Sequence, residues 1–186
     1  SIHTVQRAGI ELDDVVVLAG AGPLGLGMVE VIKLKTPKKL VVLDMDDHRL
    51  DTAKKLGADI CINPGKEDVE KLVRDLTEGY GCDVYIEATG NPASVKQGLQ
   101  IIRKLGRFIE FSVFGSEASV DWSVIGDRKE LDVRGAHLGP YSYEIAIDLF
   151  SRKLISAEEI VTHVYSLKDF EEAFRMAEST ESIKTV

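Results

Sequence analysis

An open, doubly wound α/β fold, with six parallel strands and helices on both faces, is what this sequence predicts. Short apolar runs without alternation recur along the chain, as strands buried on both faces of a parallel sheet require. Amphipathic stretches alternate with them across short connections, which is the βαβ pattern. The first run, Val15–Ala19, passes directly into Gly20, Gly22 and Gly25 at the spacing G-x-G-x-x-G, and Leu24, Met28, Val31, Ile32 and Leu34 follow at roughly helical spacing.

The elements follow in order. Ile2, Val5 and Ala8 keep a helical spacing that Gly9 is placed to end, so Ser1–Arg7 reads as the tail of a helix. With no initiating Met, the expectation is a piece of a longer protein. Lys39–Leu43 is a second strand ending at Asp44. Asp46-Asp47-His48-Arg49-Leu50 opens a helix with acids in its first turn, as the helix dipole prefers, and Gly57 closes it. Asp59–Asn63 reads as a short third strand. Asp68–Thr77 reads as an amphipathic helix with Val69, Leu72, Val73 and Leu76 on one face. Asp83–Ala88 is the fourth strand, and Ala93–Leu105 the helix after it. Arg107–Val113 is the fifth strand. Ser119–Ile125 reads as irregular, anchored by Trp122, and Leu131–Ala136 as the sixth strand. Six strands in two halves imply the order 3-2-1-4-5-6, with a ligand crevice over the carboxyl ends of strands 1 and 4. Beyond it, a helix at Tyr143–Arg152, a short strand at Val161–Tyr165, a helix at Lys168–Glu178 and a truncated Ile183–Val186 form a C-terminal appendage outside the doubly wound pattern.

Composition narrows the function. The 186 residues suit one domain of ordinary size, and 44% hydrophobic with 29% charged residues is the balance of a soluble globular protein. A net charge of −8 argues against nucleic acid, whose phosphates need a basic face. No apolar stretch is long enough to cross a bilayer and no signal peptide is visible, so the expected location is cytoplasmic, with no membrane partner. Cys61 and Cys82 read as buried small residues, away from any metal-ligand spacing.

The glycine triplet gains meaning from its context. Gly20 permits the bend out of the strand, Gly22 lets backbone approach a pyrophosphate, and Gly25 lets the helix pack on the strand. Helix amides then face the phosphates. An acid about twenty residues on completes the dinucleotide fingerprint, and Asp44 stands where it would accept from a ribose hydroxyl. The bland alternative is a glycine-rich turn beside an unrelated surface acid. His3, His48, His137 and His163 are scattered without metal-binding spacing, and Glu87 reads as a structural hydrogen-bonding group at a strand end.

Gly20-Ala-Gly-Pro-Leu-Gly25, Asp44 with Arg49, Asp83-Val-Tyr-Ile-Glu-Ala-Thr-Gly90, Leu105-Gly-Arg-Phe-Ile109 and Arg128-Lys-Glu-Leu-Asp-Val-Arg-Gly135 resemble the medium-chain alcohol/polyol dehydrogenase family. Val161-Thr-His163, Leu167-Lys-Asp-Phe-Glu-Glu-Ala-Phe174 and Glu181-Ser-Ile-Lys184 extend the resemblance, which is closest to zinc-dependent sorbitol, threonine and tetritol dehydrogenases. It implies a Rossmann NAD-binding domain over 1–140 and, over 141–186, a segment that packs on a catalytic domain. The family's zinc ligands belong to that other domain, so the resemblance places no catalytic or metal residue on this chain, which alone is expected to be inactive. By the same resemblance Gly20, Gly22, Pro23, Leu24 and Gly25 contact the pyrophosphate, and Asp44 the adenosine ribose. Arg49 flanks adenine or is simply a solvated helix charge. Ala88, Thr89 and Gly90 face adenine and the linking ribose. Phe111, Ser112 and Val113 lie near the nicotinamide, as do His137 and Leu138, though Phe111 and Val113 read equally well as plain core. The function implied is hydride transfer between a secondary alcohol of a polyol and NAD, with zinc in the full-length protein. A zinc-free reductase of the quinone oxidoreductase kind and a non-enzymatic dinucleotide-sensing module are the alternatives. The sixth strand implies a homo-oligomer through the sheet edge.

Overall fold

The computed structural model describes residues 1–179 and 181–186. Its first half runs α1 (Ile2–Ala8), β1 (Val15–Ala19), α2 (Pro23–Lys33), β2 (Lys39–Leu43), α3 (Asp47–Lys55), β3 (Ile60–Ile62) and α4 (Val69–Leu76). The rest is β4 (Cys82–Glu87), α5 (Pro92–Ile101), β5 (Ile102–Glu110), β6 (Asp132–Gly135), α6 (Tyr143–Ser151) and α7 (Phe170–Glu178). The strands pair in parallel in the order β3-β2-β1-β4-β5-β6, the doubly wound order expected. Among the described residues no helix is long and apolar enough to cross a membrane.

Alternate residues of each strand feed two cores. Val16, Leu18, Leu40, Val42, Val84, Ile86 and Ile109 pack with Val5, Leu26, Val29 and Ala53 from α1, α2 and α3. Val15, Val17, Val41, Leu43, Tyr85 and Phe108 pack on the opposite face with Val69, Val73 and Leu99 from α4 and α5. Every residue of β1 is buried, as its unbroken apolar run requires. Caps end the helices where the sequence places them. Gly9 takes φ 57, while Asp46, Asp68 and Asn91 each accept a first-turn amide.

Several expectations need correction. The helix predicted to reach Leu105 ends at Ile101, and the strand predicted over Arg107–Val113 spans Ile102–Glu110. The cause lies far along the chain: the Lys129 ammonium donates to the carbonyls of Leu99, Gln100 and Ile102, capping α5 and freeing Ile102 to pair with Cys82. Phe111, Ser112 and Val113 therefore lie beyond the strand, not at its end. Trp122 anchors nothing. It is 76% exposed, and its segment is held by Val120, Val124 and Ile125 against the second core. The strand expected at Val161–Tyr165 reduces to one bridge, His163 with Thr185, because its partner segment is itself so short. The last helix starts at Phe170, after a 3-10 turn at Leu167–Asp169. Cys82 is buried as expected, but Cys61 is only half-buried.

Gly98 lies in α5 where a Cβ would meet Tyr85 Cδ1 at 2.5 Å and Phe108 Cε2 at 2.8 Å. Those two rings stack with centroids 5.3 Å apart, so neither is free to move aside. Gly98→Ala is expected to destabilise the chain by roughly 1–3 kcal/mol in denaturant melts despite alanine's better helix propensity. A neutral or stabilising result would mean the ring pair repacks freely.

Candidate functional site

The carboxyl ends of β1, β4 and β5 meet backbone against backbone. Gly20 leaves β1 with φ 104, and a Cβ there would stand 2.6 Å from the Ala88 carbonyl oxygen. Gly25 packs under the Gly20 carbonyl with no room for a side chain. Gly90, with φ 70, lies against the Val113 carbonyl, where a Cβ would come within 2.6 Å. Gly22 is different: nothing lies within 4 Å of a Cβ built there, so the space over the N-terminus of α2 is open. First-turn amides of a helix lack partners within it, and their dipole end attracts anions. That open cradle has the shape and polarity a pyrophosphate needs.

Acids fix the turns around this opening. The Asp44 carboxylate accepts from Ala21 N at 2.7 Å and from Asp46 N at 2.9 Å, tying the β1 turn to the β2 turn. Each oxygen keeps a lone pair for a further donor. Glu87, fully buried, accepts from the amides of Thr89 and Gly90 at 2.9 and 3.3 Å and from the Thr89 hydroxyl. Its own carbonyl takes Phe111 N at 3.2 Å and the Ser112 hydroxyl at 3.3 Å. Glu110 stands in register with Glu87 on the neighbouring strand. Burial pushes the Glu110 carboxyl above its usual range, the Ser112 amide opposes this, and the Glu87 charge adds to it. One Glu110 oxygen is buried without a partner.

Two cavities flank the glycine turn. One, of about 390 Å³, is lined by Gly20, Gly22, Asp44, Arg49, Ala88 and Thr89 among others. The second, of about 950 Å³, is lined by Leu24, Ala88, Thr89, Gly90, Phe111, Ser112, Val113, His137 and Leu138 with others. Ala88 and Thr89 belong to both, so the cavities form one crevice across the point where the strand order reverses. Of the residues predicted from sequence, Pro23 and Gly25 line neither. Gly25 packs under the Gly20 carbonyl instead, and Pro23 opens α2. Arg49 faces the smaller cavity, its Nε buried without a hydrogen-bond partner and 3.8 Å from Asp46. Val113 is 95% exposed, which overturns its reading as core, whereas Phe111 packs partly on the first core. Sequence reasoning missed Met45, Asn91, Ser94 and Gln97 on the smaller cavity and Tyr143 on the larger. Ser94 and Gln97 share one face of α5, a helical spacing that could have revealed them. Among the described residues no three His, Cys, Asp or Glu side chains converge as a metal would require.

Known proteins are similar to this chain throughout. The family described as zinc-binding dehydrogenase matches residues 23–152. An erythritol/L-threitol dehydrogenase of Mycolicibacterium smegmatis is 49% identical over 185 residues, covering 99% of this chain and 51% of that protein. A D-arabitol-phosphate dehydrogenase of Enterococcus avium is 33% identical over 188 residues, covering 100% of this chain and 53% of that one. Among solved structures, a short chain alcohol dehydrogenase of E. coli CFT073 complexed with NADH superposes with a TM-score of 0.89 at 25% identity, over 98% of this chain and 54% of that one. The chain thus spans about half the length of the curated relatives it matches.

The raised carboxyl at Glu110 has a measurable sign. Its proton is held more tightly folded than unfolded, so stability falls as pH rises from 4.5, the ordinary value, through the raised one. Glu110→Gln removes that loss. The variant is expected to match the parent in denaturant melts near pH ~4 and to gain on it as pH rises through the raised value. An advantage that shrinks as pH rises would contradict the assignment.

Proposed function

This chain belongs to the zinc-binding dehydrogenase family, and on that premise we propose that it is the NAD-binding part of an enzyme that moves hydride between a secondary alcohol of a polyol and NAD. The observation that carries this reading is the open cradle at Gly22 over the start of α2, flanked by two cavities that join at Ala88 and Thr89. In it the pyrophosphate takes the α2 amides, the adenosine ribose takes Asp44, and Arg49 flanks adenine. Nicotinamide takes the larger cavity beside Gly90, Phe111, Ser112, Val113 and His137. When bound, the dinucleotide supplies the hydride acceptor. This chain's residues bind and orient it. Zinc does not fit here, since no ligand group converges among the described residues, and no step is assigned to it on this chain.

Residues 1–140 act in this reading as the binding unit, and 141–186 pack on the catalytic part. The exposure of Tyr143, Ile147, Phe170 and Phe174 supports that packing role. The protein works in the cytoplasm as a homo-oligomer, joined through the outer edge of β6, which pairs with no strand among the described residues. Sedimentation at rising concentration is expected to show a dimer that Val133→Pro weakens, since proline removes a ladder donor. A parent chain that stays monomeric at all concentrations would remove this part of the proposal.

NAD is favoured over NADP. The Asp44 carboxylate is held by two backbone amides and cannot swing away cheaply. A 2′-phosphate ~4 Å from it meets on the order of 4 kcal/mol of repulsion at an effective dielectric of ~20. After screening by salt and solvent, roughly 2–3 kcal/mol remains, or ~30- to 150-fold. Fluorescence titration is expected to show NADH binding with that advantage over NADPH, and Asp44→Ser is expected to narrow it. Equal affinities in the parent would refute the ribose assignment, and no binding of either would refute the dinucleotide site.

A further inference from the structure

Glu87 is buried at the end of β4, behind the crevice and lining neither cavity, with both carboxylate oxygens engaged by the β4–α5 turn. Oε1 takes the Thr89 amide and hydroxyl, and Oε2 takes the Gly90 amide. No cation pairs with it among the described residues. The same residue's carbonyl accepts from Phe111 N and the Ser112 hydroxyl at the exit of β5. Thr89 passes the grip onward, its hydroxyl oxygen accepting from Asn91 N at 2.9 Å at the start of α5. One residue therefore holds two of the segments that wall the larger cavity, and Gly90 locks those two together by lying directly on the Val113 carbonyl.

We propose that Glu87 is a positioning residue for the nicotinamide half of the crevice, acting through the Thr89–Gly90 turn and the Phe111–Ser112 exit rather than by touching the ligand. The inference rests on the dinucleotide reading above and adds a residue to it. The chemistry makes the demand specific. A carboxylate presents acceptors on both oxygens, whereas the isosteric carboxamide of Glu87→Gln presents one acceptor and one donor. The donor must face either the Thr89 or the Gly90 amide, and that amide is left unpaired. The turn then opens while the cores around it stay filled.

The test uses the full chain and two readouts. Residue-resolved amide hydrogen exchange on the free protein is expected to speed up at Thr89 and Gly90 in Glu87→Gln, with the amides of β1 and β2 unchanged. Titration with NADH is expected to lose roughly tenfold in affinity, the scale of one charge-assisted hydrogen bond. AMP, which takes the Asp44 side and meets Thr89 but not Gly90, Phe111 or Ser112, is expected to lose less, by under about threefold. Thr89→Val, which removes the hydroxyl that donates to Glu87 and accepts from Asn91 N, keeps the fold if Glu87→Gln does not and is expected to show the same pattern, smaller. A merely structural role would lower NADH and AMP binding together or leave both alone, and either result overturns the proposal. So does unaltered exchange at Thr89 and Gly90, whether or not the parent binds NADH. Failure of the parent to bind NADH condemns the dinucleotide reading separately.

Discussion

Backbone touches backbone at the carboxyl rim of the sheet, and most of the structure is arranged so that it can. The Gly20 carbonyl rests on Gly25, the Ala88 carbonyl on Gly20, and the Val113 carbonyl on Gly90. These contacts bring three successive turns closer than side chains allow and leave the space over Gly22 clear. They also bind three strands that are far apart in sequence into one surface. The two cores on either face exist to hold those strand ends in line. Any residue larger than glycine at the contacts would push a strand out of register with its neighbour.

The two rims of a parallel sheet present opposite problems, and this chain meets both with acids. At the amino rim Asp59 accepts from Leu40 N and pairs with Lys33, while Asp83 accepts from Val15 N and pairs with Arg103. Asp14 pairs with Arg107 there as well. At the carboxyl rim Asp44, Glu87 and Glu110 stand at or just beyond strand ends, and no ion pair joins any of them among the described residues. They face turn amides instead. Charges at the first rim are neutralised locally. At the second they order the loops that build the crevice.

Much of this was legible in residues, and the failures have identifiable causes. β1 and β2 follow from unbroken apolar runs, and the cradle follows from glycine spacing with an acid after the next strand. The α5–β5 boundary was not legible. Ile101 and Ile102 continue the helical apolar pattern, and the lysine that stops the helix lies at position 129. Local pattern cannot report a cap supplied from so far away. Trp122 shows the opposite error, a large aromatic read as an anchor while it stands in solvent. Within the site, the positions from motif and strand end were readable. The second role of Asp44, gripping Ala21, depends on two turns meeting in space and leaves no local trace.

Because Gly20 leans on Ala88 and Gly90 on Val113, the lengths of these turns are not independent of one another. An insertion in one would lift its neighbour off and unseat the third. A Cβ built at Gly115 meets nothing within 4 Å, and the exposed stretch that begins there lies beyond these contacts, where a change of length leaves them in place. Grafted segments or affinity tags therefore belong in the exposed stretch that begins at Gly115.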